Sequence, residues 1–286
     1  MLSLVRASLA VVLTVVLCGS FAPSAHAARV AVLANSGAAT TATDFQAQIP
    51  GHVFTAIDVT SGPPALAALL ASYDVVLLFE DGLFANAPAV GTRVAEFALA
   101  GRAVVLGTFY EQDRSDRAGI VLQPPHGWGA LESIDPNTTD GIGAAGSPRA
   151  LAPTIVAHPL TSGVTTLFAG AQGYAGGNQA KPGTTVLATW DQPNARGQPD
   201  PAIAYRSDGP VCVIHVAIAP NYASYGAIGS AFGGDFYRAW KNAFDFGARK
   251  CDGLPQLPAL SDFALLLMAL GLAALAARRL RRVPAR

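Results

Sequence analysis

Short β-branched runs alternate with alanine-rich stretches through the middle of this 286-residue chain, and that alternation sets the expected elements. Ala28 to Asn35 (ARVAVLAN) is a continuous apolar run, which predicts a strand covered on both faces. His52 to Val59 predicts a second strand, and Pro63 to Tyr73 a helix opening on prolines that suit a first turn. Tyr73 to Asp81 (YDVVLLFED) is the clearest buried strand. Val90 to Gly101 predicts a helix with Val94, Phe97 and Ala98 on one face and Gly101 as its stop. Arg102 to Tyr110 predicts the next strand. Strands separated by helices pair in parallel through right-handed crossovers. The expected fold is therefore α/β, a doubly wound and mostly parallel sheet with helices on both faces.

From Glu111 to about Pro159 the pattern breaks into Gly, Pro, Asp and Asn, and an irregular loop is expected. Strands return at Thr184 to Trp190, Pro201 to Arg206 and Pro210 to Ile218, with Ser207-Asp208-Gly209 as a hairpin turn. Asp235 to Ala248 predicts a closing helix, with Asp235 as N-cap and Tyr237, Trp240 and Phe244 on its apolar side.

Two longer apolar runs stand at the ends. Residues 1–27 carry Arg6, an apolar stretch from Leu9 to Leu17, and Ser24-Ala25-His26-Ala27, the order of a cleaved signal peptide. Leu17 precedes Cys18 where a lipid-attachment motif wants a small residue, so lipidation is not expected. After a domain at 28–252 come a linker and motif at 253–262, an apolar span at 263–277 and a basic tail at 278–286. Arg278, Arg279, Arg281 and Arg282 would hold a short membrane span on its cytoplasmic side. The tail LPALSDFALLLMALGLAALAARRLRR resembles the IPTL-CTERM and PEP-CTERM sorting signals of Gram-negative bacterial surface proteins. That resemblance implies recognition of Leu257, Pro258, Ala259, Leu260 and Ser261 by a sortase-like membrane enzyme; the alternative is a plain anchor. Either way the domain is expected outside the cytoplasm, facing the periplasm from the inner membrane or carried to the surface.

The formal charge of zero hides an asymmetry. Arg6 and five tail arginines belong to the end segments, which hold Asp262 as their one acidic residue, so the domain is about five units negative. That excludes a nucleic-acid partner gripped through phosphates. Once Cys18 leaves with the signal peptide, Cys212 and Cys251 remain. An oxidising compartment makes one disulfide the expectation, closing a loop worth ~3–4 kcal/mol; the alternative is a buried free Cys212 and an exposed Cys251. Neither cysteine has a second ligand at close spacing, so no metal site is expected.

The succession YDVVLLFED, RAVVLGTFY, Ala157-His158-Pro159-Leu160, TTVLATW, PAIAYRSDGPVCVIHVAI and a final aromatic helix resembles the class I glutamine-amidotransferase-like superfamily, in its trehalose-utilisation-type branch. The resemblance implies a flavodoxin-like core. It also implies a catalytic Cys directly after the strand RAVVLGTFY and a His-x-Glu pair downstream. Gly107-Thr108-Phe109-Tyr110 stands in the first place, and no His is followed two residues later by Glu. Thr108 has no base nearby in sequence, and G-x-S-x-G does not occur, so no catalytic residue is assigned and no cofactor is implied.

Open parallel sheets bind ligands beyond the carboxyl ends of their strands. That rule selects Asn35, Glu80, Asp81, Tyr110 and Glu111 as cleft candidates, with Glu80 and Glu111 as an acid/base pair or a cation site, or else as solvated loop carboxylates. His126 with Trp128 would contact a glycan or other ligand, or pack locally. His158 reads as a turn residue and His215 as a core histidine, against ligand roles for each. Gly141 to Gly146 fits G-x-G-x-x-G but follows no strand, and Gly173 to Asn178 is either a surface turn or an anion cradle. The expected function is a non-catalytic binding domain of the envelope, with a glycan or surface protein as ligand. The alternative is an extracytoplasmic hydrolase or carbohydrate-processing enzyme using cleft carboxylates.

Overall fold

The computed structural model describes residues 27–79, 84–108, 127–139, 148–170, 176–194, 196–221 and 232–252. The expected signal peptide up to His26, the segments from 253 onward with the expected sorting motif and the Arg cluster, and Glu80, Asp81, Tyr110, Glu111 and His126 lie outside the described residues. Among the described residues no helix is long and apolar enough to cross a membrane.

The parallel part is built from β1 (Arg29–Ala34), β2 (Val53–Asp58), β3 (Val75–Leu78), β4 (Ala103–Gly107) and β11 (Cys212–Val216). They lie in the order β2-β1-β3-β4-β11, every neighbouring pair parallel. Helices α1 (Ala38–Gln48), α2 (Leu66–Ser72) and α3 (Ala87–Leu99) occupy the crossovers, and α4 (Phe236–Ala248) closes the domain. Successive strand residues point to opposite faces. Val30, Val32, Val105 and Ile214 accordingly pack with Phe45 of α1 and Trp240 and Phe244 of α4. Ala31, Leu33, Val104 and Val213 pack on the other side with Leu69 of α2 and Val94 and Phe97 of α3. Three layers result, and each apolar run is buried on both faces for that reason.

Beyond β11 the sheet changes character. β10 (Pro201–Arg206), β9 (Thr185–Trp190), β6 (Arg149–Ile155), β7 (Leu167–Ala169) and β12 (Phe232–Gly234) add on in that order, each antiparallel to its neighbour. The expected mostly parallel sheet is therefore a mixed one. Hairpin links force the antiparallel sense, whereas crossover helices allow the parallel one. The turn at Ser207-Asp208-Gly209 joins β10 to β11 with Gly209 at φ 59°. Within the stretch expected to be irregular lie a 3-10 turn at Gly129–Ser133, β5 (Asn137–Thr139) and β6. β5 pairs with β8 (Asn178–Ala180) as a separate ribbon. β6 carries Pro153 between Leu151 and Ile155, where its register on β9 is irregular, the usual place for a proline in a strand.

A disulfide joins Cys212 of β11 to Cys251, three residues past the end of α4, with Cα atoms 5.4 Å apart. Lys250 and Cys251 are the described non-glycine residues with left-handed backbone, at φ 55° and 58°. The turn is held by Lys250 N–H on the Gly247 carbonyl (2.7 Å) and Cys251 N–H on the Phe246 carbonyl (3.1 Å).

Candidate functional site

The order β2-β1-β3-β4 reverses direction of winding between β1 and β3, which places the ligand crevice of a doubly wound sheet at their carboxyl ends. β1 runs into Asn35, Ser36 and Gly37, and Gly37 (φ 72°) opens α1 without a side-chain cap. The Asn35 carbonyl accepts a hydrogen bond from Thr60 Oγ1 at 2.8 Å, tying the ends of β1 and β2 together. β4 ends at Gly107 and Thr108, and the Thr108 N–H donates to the Ile218 carbonyl (3.3 Å).

The chain leaving β11 does not stay above its own strand. Pro220 lies on Gly107, where an added Cβ would come within 2.9 Å of Pro220 Cδ and 3.1 Å of the Trp240 ring. Asn221 reaches the mouth of α1, where a Cβ on Gly37 would sit 3.2 Å from Asn221 Nδ2. Two glycines thus let residues 218–221 cross the sheet edge from β11 over β4 to β1. A side chain at either position would push that segment away.

Among the described residues, the Asp58 carboxylate accepts from Thr60 at the end of β2, and the other groups here are neutral. Thr41 in the first turns of α1, Thr108, Asn221 and Trp240 are each at most 1% exposed. Thr41 Oγ1, Thr108 Oγ1 and Trp240 Nε1 have no hydrogen-bond partner. Buried polar groups are normally paired, so three orphans at one end of a sheet mark a place suited to neutral hydrogen-bonding groups. Chemically, these hydroxyl, amide and indole groups donate and accept hydrogen bonds but exchange no proton near neutral pH. Among the described residues no group of three His, Cys, Asp or Glu side chains could hold a metal ion.

A buried ion pair lies in the antiparallel part. Asp200, fully buried, accepts hydrogen bonds from Gly177 N–H (2.6 Å), Asn178 N–H (3.0 Å) and Arg149 Nη1 (3.0 Å). The Gly173 to Asn178 segment does cradle an anion in its described part, and the anion is the domain's own carboxylate. Asn194 Nδ2 donates to the Asn178 carbonyl at 2.8 Å and extends this network.

No family model matches the chain, and no curated protein matches it. Among solved structures it is similar to a ThuA-like protein from Bacteroides uniformis, at 13% identity and a TM-score of 0.48, covering 79% of this chain and 92% of that one. It is also similar to Agd3, a carbohydrate deacetylase, at 15% identity and a TM-score of 0.40, covering 72% of this chain. The chain spans about a third (33%) of Agd3. Identities this low concern the α/β fold.

Trp128, His158 and His215 all have packing or turn roles, the reading the sequence favoured for the two histidines and one of the two it left open for Trp128. Trp128 is buried, not presented on a loop; it packs edge-to-face on Phe84 at 5.1 Å. Gly91 of α3 makes room for it, since a Cβ there would lie 2.0 Å from the Trp128 carbonyl oxygen. His158 caps the 3-10 turn Pro159–Thr161, its Nδ1 accepting from Leu160 N–H at 3.2 Å, and stacks on Tyr205 at 5.0 Å. Burial, reinforced by the nearby Arg249, lowers its affinity for a proton. His215 is buried in β11 beside the Asn137 amide. His52, assigned no role from sequence, accepts from Ala28 N–H through Nδ1 and faces Asp245 through Nε2, both at 3.1 Å. Burial opposes ionisation of Asp245, but hydrogen bonds from His52 and Lys241 outweigh it and hold its carboxyl below the usual range.

Asp235 does not cap α4 with its side chain. Its carboxylate instead accepts from Thr165 N–H (2.8 Å) and Thr166 N–H (3.0 Å), bonds that keep its pKa low. Asn35 directly follows β1, the position from which the strand-end rule selected it. Gly37, Thr41, Pro220 and Trp240 were not foreseen at this edge; a glycine directly after an apolar strand was the one local signal available for them.

Proposed function

We propose that this chain is an exported bacterial envelope protein, anchored or processed at its C-terminal tail. Its domain binds a neutral polar ligand, of glycan or surface-protein type, at the carboxyl edge of the parallel strands. We read the domain as flavodoxin-like, of the glutamine-amidotransferase-like kind, with amidotransferase chemistry lost. The observation that carries the reading is the Cys212–Cys251 disulfide, because cytosolic thiols are kept reduced and exported ones are not. It agrees with the signal-peptide pattern at 1–27 and the sorting-type tail at 257–286. Thr108 supports the binding role: its buried hydroxyl stands where the resembling superfamily has a thiol. The unpaired groups of Thr41, Thr108 and Trp240 suit sugar hydroxyls or peptide amides.

The test is to express the full chain in a Gram-negative host, fractionate the cells, and probe its thiols before and after reduction. The expected result is an envelope-fraction protein whose mature form reacts with thiol reagents after reduction only. A cytosolic product that keeps Cys18 and has all three thiols free would sink the export reading. Binding of the purified chain to an array of neutral glycans and envelope proteins, lost at least ~10-fold in Asn221→Ala, tests the ligand site. Turnover of a glycan, abolished in Glu80→Gln or Glu111→Gln, would replace the binding reading with a hydrolase.

A further inference from the structure

The first residue of the expected mature chain is buried. Ala28 is fully enclosed, whereas Ala27 just before it is exposed, so the bond between them crosses the boundary of the domain. That bond is also the one that the Ser24-Ala25-His26-Ala27 pattern marks for cleavage. Ala28 leads into β1, and its carbonyl accepts from Val53 N–H at 3.0 Å, which starts the pairing of β1 with β2.

The Ala28 nitrogen meets a built acceptor. Its N–H donates to His52 Nδ1 at 3.1 Å, and His52 Nε2 lies 3.1 Å from Asp245 Oδ1 on α4. An imidazole that accepts at Nδ1 carries its proton on Nε2, which aims that proton at the carboxylate. Lys241, one turn earlier on α4, reaches the other carboxylate oxygen, Oδ2, at 2.6 Å. His52 is buried, with the rings of Phe54 and Phe244 edge-on to it at 6.1 and 6.0 Å. A backbone N–H needs one acceptor and brings no charge. An imidazole backed by a carboxylate exceeds that need, because it sets negative charge behind the acceptor. Such an arrangement suits a cation, since charge is tolerated in an interior where it is paired.

We propose that His52 and Asp245 are a receptor for the α-amino group that export processing creates at Ala28, so that the mature chain is locked by its own new end. The proposal rests on the export reading above. Hydrolysis of the Ala27–Ala28 bond consumes one water, whose oxygen goes to the Ala27 carboxylate and whose two protons go to the Ala28 nitrogen. The product is an α-ammonium, the main form of such an amine at neutral pH. One of its protons keeps the bond to His52 Nδ1. The other two face the side that exposed Ala27 has vacated, where water accepts them. The positive charge then stands one imidazole away from Asp245, and a shift of the proton from amine to imidazole leaves that balance unchanged. Before cleavage the same place holds a neutral amide, and Asp245 gains no charge partner there. The cut end thereby ties the start of β1 to the residue before β2 and to α4, the last helix of the domain.

The experiment is a cycle in the full chain, expressed in a Gram-negative host and purified in detergent: the parent, Ala27→Leu, Asp245→Asn and the double variant. Cleavage needs a small residue before the cut, so Ala27→Leu keeps the leader attached. Residue 27 is exposed, so the fold accepts the larger side chain. N-terminal sequencing of the parent should start at Ala28. Asp245→Asn should lower the melting temperature of the cut chain at least ~4 °C more than that of the uncut one, because the cut chain sets a charge against the carboxylate and the uncut chain does not. Acetylation of the Ala28 amine should run at least ~10-fold slower in the folded parent than in urea. A parent that starts elsewhere would overturn this proposal together with the assigned cleavage point, while cell fractionation still reports on export. A start at Ala28 with equal losses in the two backgrounds, or with an amine that labels as fast folded as unfolded, would overturn this proposal and leave export standing.

Discussion

Reducing the Cys212–Cys251 bridge tests the core of the domain and its compartment together. The bridged residues are 39 apart in sequence, and the loop-entropy relation gives about 4 kcal/mol for a loop of that size. Part of this is returned when the bridge opens. Lys250 and Cys251 sit in left-handed backbone, which costs roughly 1 kcal/mol per non-glycine residue, and the freed segment can relax. The net loss is therefore about 2–4 kcal/mol. For a domain of this size each kcal/mol moves the melting temperature by about 2–4 °C, so reduction should lower it by about 4–16 °C. Differential scanning calorimetry with and without a phosphine reductant measures this, and a Cys212→Ala/Cys251→Ala variant serves as the reductant-insensitive control. A drop below ~2 °C on reduction, or the same drop in the control, would refute the reasoning.

Three further outcomes follow from particular contacts. Asp200→Ala leaves the Arg149 guanidinium buried without its carboxylate and should cost about 3–5 kcal/mol in urea denaturation, whereas changes at exposed Asp208 should cost under ~0.5 kcal/mol. Gly91→Ala, a substitution that stabilises an ordinary helix, should instead destabilise the domain by ~2 kcal/mol or more, because the new methyl meets the Trp128 carbonyl at 2.0 Å; a raised melting temperature would show that the contact yields. Asp74 is held below the usual carboxylate range by its hydrogen bonds from Arg29, against some burial and with help from Arg102. A depressed folded pKa gives stability that is complete above the unfolded value near ~3.9 and lost as pH falls through the folded one. Asp74→Asn should thus cost roughly 1–2 kcal/mol at pH 7, after allowing for solvent screening, and progressively less as pH falls below ~4. Urea melts of both proteins across pH 2–7 check the convergence.

The parallel half was legible because β1, β3 and β4 are continuous apolar runs, a pattern that arises where both faces are covered. Helix α1 escaped notice for an equally physical reason. Its sequence holds three threonines and one large apolar residue, Phe45, so neither propensity nor periodicity announces it. β7, β8 and β12 are three residues long, too short for any alternation to register. Pro153 hid β6, since proline argues against a strand until the irregular register on β9 is seen. At the candidate site, the end of β1 at Asn35 was legible, because the apolar run stops there. The crossing of residues 218–221 from β11 to Gly37 is a contact between distant parts of the chain, and no local pattern encodes it. The reassignment of Trp128 to the core has the same origin, because the space for it comes from Gly91 on another element.

The bridge also fixes how the domain responds to being pulled. Any load applied to the chain beyond Cys251 passes through the sulfur–sulfur bond into β11, which lies between β10 and β4 in the interior of the sheet. Tension therefore enters at a strand braced on both sides, where hydrogen bonds share it in shear. Without the bond, the same pull would peel α4 off from its end, turn by turn, at much lower force.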